Sequence, residues 1–213
     1  MSHHRRVSVL RAAALSIIAA GALALSACAT PSADAPPPGA SLENAWPDPP
    51  TGEVVATGTV LDKGGDAELC LGPVAESWPP QCAGLPLEGW SWGDVEGSET
   101  SGDVTWGAYA VTGTFDGETF TVTQPPIMLA LYDPMRPDDP AGGVEGSTDE
   151  GRLLEIQEEL PAKMGDAYLG SYPDRGYLWV DVPWDDGTWQ EAVDAEYGEK
   201  VVFIQSMMRE VSG

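Results

Sequence analysis

Histidine occurs only at His3 and His4. Beyond them no Ser-His-Asp or Cys-His triad can be assembled, and a histidine-ligated zinc or iron site is excluded. Positive charge is also scarce, with ten Lys and Arg against 34 Asp and Glu, a net charge of −24. Three of the ten, Arg5, Arg6 and Arg11, lie at the start of the chain, so the part after Cys28 keeps seven basic residues and a net charge near −27. Nucleic acid is therefore a poor partner, because binding it rests on Lys and Arg neutralising phosphates and releasing counterions. Direct attraction to anionic lipid headgroups is equally unfavourable. Long apolar runs are lacking too, apart from Ala12 to Leu25, whose only polar member is Ser16. That run has the length of a secretory h-region and falls short of the roughly 20 residues that span a bilayer.

The basic start, the apolar run and the closing Leu25-Ser26-Ala27-Cys28 together resemble the lipobox of bacterial lipoproteins. The resemblance implies that residues 1–27 are a signal peptide, cleaved just before Cys28, and that Cys28 carries a thioether-linked lipid, with palmitate among its acyl chains. An ordinary secretory signal cut near Ala22-Leu23-Ala24 is the alternative. Lipidation supplies what the charge does not: each buried CH₂ contributes about 0.8 kcal/mol, so two or three acyl chains hold an acidic domain at a membrane surface. The expected location is the extracytoplasmic face of the cell membrane.

Cysteine is nearly absent as well. Besides Cys28 there are only Cys70 and Cys82, in LCLGPVAESWPPQCAG. In an oxidising compartment a pair flanked by turn-formers reads as a structural disulfide, worth roughly 3 kcal/mol for so short a loop. A redox pair calls for a CxxC-type spacing or an electropositive setting, and neither is present.

Texture then divides the chain. Residues 28–50 are rich in Pro, Ala and Ser and read as a flexible tether, with Trp46 expected to dock onto the first domain. Residues 51–132 read as a β domain. Its clearest signal is VTWGAYAVTGTFDGETFTVTQ, where two β-rich runs meet at Asp116-Gly117, the favoured type I′ pair. Residues 133–146 read as an acidic Pro/Gly linker. Residues 147–213 read as an α-β-α-β module. Ser147 and Glu150 form a capping box; Leu153, Leu154, Ile156 and Leu160 form an apolar stripe, and Pro161 stops the helix. GYLWVDV (176–182), a helix opened by Asp185-Asp186-Gly187 and KVVFIQSM (200–207) form a βαβ unit with parallel strands. In that helix Trp189, Ala192, Val193 and Tyr197 share one face, and Gly198 caps its end. The fold class expected is α+β, a small disulfide-stapled barrel- or sandwich-like unit followed by the α/β module.

Chemistry would fall to carboxylates, which are too numerous for any catalytic pair to stand out. Asp133, Asp138 and Asp139 could attract Ca²⁺, but their spacing does not match the EF-hand pattern and prolines stiffen the segment, so no metal or cofactor is expected. Eight tryptophans are the more distinctive feature. Either they fill two small cores or some form an aromatic platform for sugar rings or an apolar partner. Trp90 and Trp92, in GWSWGD, would face the same side of a strand and are the expected platform.

LCLGPVAESWPPQCAGLPLEGWSWGD, VTWGAYAVTGTFDGETFTV and GTWQEAVDAEYGEKVVFIQSMMR resemble segments of uncharacterised lipoproteins and secreted proteins of actinobacteria. The resemblance implies a surface location and carries no activity or catalytic residues. The reading that follows is a lipid-anchored, non-enzymatic binding module whose partner is an envelope protein or glycan. The alternatives are a carboxylate-based hydrolase of an envelope glycan and a calcium-dependent adhesion module.

Overall fold

A computed structural model describes residues 41–134 and 139–211; the signal segment, Cys28 and the tether up to residue 40 lie outside the described residues. The β-rich texture after Val54 becomes two long strands, β1 (Val54–Asp62) and β5 (Val104–Phe115), paired antiparallel from Val54–Gly113 to Asp62–Thr105. Between them come β2 (Ala67–Cys70), β3 (Leu85–Glu88) and β4 (Glu99–Ser101), and after them β6 (Phe120–Val122) and β7 (Ile127–Met128). The order β1-β2-β3-β6-β5 returns to β1 and closes a five-stranded barrel, with β3 and β6 as its parallel pair. Such closure demands tight approach between strands, and two glycines permit it. A Cβ at Gly58 would lie 2.3 Å from the carbonyl oxygen of Cys70, and one at Gly113 would lie 2.0 Å from that of Thr121. Val60, Leu69, Tyr109, Val111 and Phe120 fill the interior, and the Cys70–Cys82 disulfide staples the outside of β2.

The turn at Asp116-Gly117 differs from the expected two-residue form. Phe115 pairs with Phe120, leaving a four-residue connection in which only Gly117 has positive φ. Asp116 instead accepts the amides of Glu118 and Thr119 through Oδ1. A short carboxylate that satisfies the turn amides removes the need for a second left-handed residue.

The C-terminal part contains α1 (Glu150–Met164), β8 (Gly170–Asp174), β9 (Tyr177–Val182), α2 (Thr188–Tyr197), β10 (Val202–Ser206) and β11 (Met208–Glu210). β9 and β10 are parallel across α2, as the βαβ pattern requires, and Trp189, Ala192 and Val193 face the core. β8, unforeseen in the sequence, pairs antiparallel with β9. The capping box does not form. Asp149 is the N-cap and accepts the amide of Gly151, and the helix runs through Pro161 to Met164. Proline in the last turn removes one hydrogen bond, while Leu160 and Met164 on either side remain buried and hold the turn in place. Leu153, Ile156, Leu160 and Met164 form the buried stripe, and Leu154 lies off it at 43 % exposure.

Packing and pairing cross two of the expected boundaries. Residues 41–50 are not all free tether, because Leu42 is only 1 % exposed and packs with Ala45 among α1, β9 and α2. Trp46 does not dock; it stays 72 % exposed. At the other end β11 leaves the α/β module and pairs with the first half of β1, Ala56 against Met208. β2 reaches only Thr59–Asp62, so Val54–Ala56 offers a free edge that β11 fills, placing Met208 in the barrel core.

Candidate functional site

At the end of the barrel where β1 turns into β2, a groove of about 590 Å³ opens between that turn and the segment leaving β3. The sequence LDKGGDA builds the first wall. Asp62 Oδ1 accepts the amides of Gly64 and Gly65 at 2.8 and 2.9 Å, folding the turn around its own carboxylate. Oδ2 accepts Trp92 Nε1 at 3.1 Å, tying the second wall to the first. Partial burial works against the charge on Asp62, but the Gly65 amide, the Trp92 indole and the Gly64 amide together outweigh it and hold the carboxyl below its usual range. Asp62 is therefore an anion at neutral pH, and the acidic side chains of Asp66 and Glu88 complete the rim.

Trp90 and Trp92 both line the groove. They do not lie side by side on a strand as the sequence spacing predicts: both follow β3, and Trp92 opens a short 3-10 turn, Trp92–Asp94. Their rings meet edge to face at 5.2 Å and 81°, and Trp90 also meets Tyr109 at 5.0 Å. The pair is half-buried, with one side on the barrel core and one side on the groove. Trp90 Nε1 is buried without a hydrogen-bond partner.

Most other tryptophans serve packing. Trp106, Trp179 and Trp189 are buried, while Trp184 packs against the barrel core and donates to the carbonyl of Asp48 at 3.0 Å. Trp78, in the loop closed by Cys70–Cys82, is 70 % exposed and stands edge-on to Trp106 at 4.9 Å.

The carboxylates with raised pKa lie elsewhere. Burial pushes Asp181 up. Burial also pushes Asp185 up, against the amides of Trp189, Gln190 and Gly187, which it accepts at the start of α2. Of the acidic trio considered for calcium, Asp138 lies outside the described residues. Asp139 is committed to Arg175 and to the amides of Ala141 and Gly143. Among the described residues no group of three His, Cys, Asp or Glu side chains is arranged to hold a metal ion, and no helix is long and apolar enough to cross a membrane.

Asp62, Asp66 and Glu88 were hidden among 34 acidic residues. The Asp-x-Gly-Gly turn directly after an apolar strand was the signal that singles out Asp62. Comparison with protein-family models, with curated proteins and with solved structures finds no match for this chain.

Proposed function

We propose that the chain is a lipid-anchored, extracytoplasmic binding module that uses the groove of Asp62, Trp90 and Trp92 as its receptor surface. The observation that carries the reading is the position of two indole rings in the wall of a groove whose rim bears three carboxylates. Aromatic faces beside a few placed polar groups are the usual make-up of a recognition site. The Cys28 signal and the disulfide support a location outside the cytoplasm. A hydrolase reading gains less support: it needs one carboxyl kept protonated beside one ionised. In the groove Asp62 is pushed the opposite way.

The test is retention by envelopes. The full chain carrying Cys28→Ala lacks the acylation site and should leave the membrane fraction when expressed. Added to washed envelopes, it is expected to bind saturably, and the further change Asp66→Arg should remove that binding. Equal retention of both variants, or none for either, would count against the groove.

A further inference from the structure

Resting on that reading of the groove, we infer that its occupant is the guanidinium of an arginine side chain presented by a protein partner. The chain contains its own version of the chemistry. Arg175 stands over the ring of Trp179 at 5.3 Å while pairing with Asp139 at 2.9 Å and Asp174 at 3.0 Å. One indole face and two carboxylates thus hold one guanidinium. The groove is lined by the same kinds of side chain, indoles and carboxylates. Trp90 and Trp92 supply rings, and Asp66 and Glu88 are exposed carboxylates with no hydrogen-bond or ion-pair partner among the described residues. Asp62 Oδ2 accepts only the Trp92 indole and retains acceptor capacity.

The neighbouring cation does not fill the gap. Lys63, in the same turn, pairs with Glu68 at 3.0 Å, and no basic residue lines the groove. Three acidic side chains on a concave wall favour the approach of a cation from solution. A guanidinium meets the remaining requirements together: it stacks on an indole through its plane and donates from its edge to two carboxylates. The groove is neither enclosed nor flat, so it suits a side chain extending from a larger surface.

The inference is tested with the peptides Ac-Gly-Arg-Gly-NH₂ and Ac-Gly-Cit-Gly-NH₂, where citrulline keeps the shape of arginine and removes its charge. Binding to the full chain is followed through the indole N–H resonances of Trp90 and Trp92. The arginine peptide should shift both saturably, weaken with added salt, and bind roughly tenfold more tightly than the citrulline peptide. The variant Asp66→Asn with Glu88→Gln should keep the wild-type melting temperature and lose about threefold to fivefold in affinity for the arginine peptide. Equal binding of the two peptides would overturn charge recognition while leaving the groove as a receptor. A lysine peptide binding as tightly as the arginine one would overturn the assignment of a guanidinium. Absence of any shift with the arginine peptide would overturn the inference outright, and envelope retention then decides separately whether the groove binds something else.

Discussion

The indole Nε1 of Trp189 donates to the carbonyl oxygen of Ala45 at 2.7 Å, joining α2 to a segment 144 residues earlier in the chain. This bond and the buried Leu42 make residues 41–45 part of the α/β core. They also set where a flexible tether can end. Leu42→Ala is expected to destabilise by about 2–5 kcal/mol, as large-to-small core changes do. For a chain of this size the melting temperature should fall by roughly 5–15 °C. Calorimetry checks this, and an unchanged transition would return the segment to the tether.

Asp62 organises the groove and should show it in acid. Its folded pKa lies below the unfolded value of 3.8. Its stabilising contribution is therefore complete above that value and is lost as the pH falls through the folded one. Asp62→Asn is expected to lower the melting temperature at pH 7 by roughly 2–4 °C, reflecting about 1 kcal/mol of hydrogen bonding at a partly exposed site. The difference from wild type should shrink steadily below about pH 4. A difference that grows in acid would contradict the assigned bonds.

Asp181 carries the opposite sign. Burial raises its pKa, so ionisation opposes folding above that raised value, and the penalty is gone below the unfolded one. Asp181→Asn should raise the melting temperature at pH 7 by roughly 1–3 °C, a figure kept small by solvent screening of a partly buried group. Near pH 3 the gain should vanish. Thermal melts at the two pH values check the sign.

The Cys70–Cys82 disulfide closes a short loop on β2. The Cys70→Ala, Cys82→Ala double variant is expected to lose about 3 kcal/mol, or roughly 6–12 °C in melting temperature. A native, unreduced sample should show no labelling of either sulfur by a thiol reagent.

Patterns that depend on neighbouring residues were readable in the sequence. The parallel βαβ unit follows from two apolar runs around an amphipathic helix, and the disulfide from two cysteines among turn-formers. Barrel closure could be expected as one of two all-β solutions, but the pairing of β1 with β5 that selects it spans residues 54–113. What stayed hidden depended on partners far along the chain. β11 is three residues long and has no periodicity of its own; only the free edge of β1 makes it a strand. The capping box failed because Asp149, two residues after Ser147, offers a carboxylate to the same helix end. Trp90 and Trp92 could be singled out by their spacing, but their edge-on geometry is imposed by Tyr109 and Asp62, which no local pattern connects to them.

The central proposal is that Trp90 and Trp92 face a partner at a membrane surface. Oxidative footprinting of tryptophan in intact envelopes, compared with the purified chain, tests it most directly, with the exposed Trp78 as internal reference. The account predicts that Trp92 and Trp90 are labelled less in the envelope while Trp78 is labelled equally in both. Equal labelling of all three would contradict it.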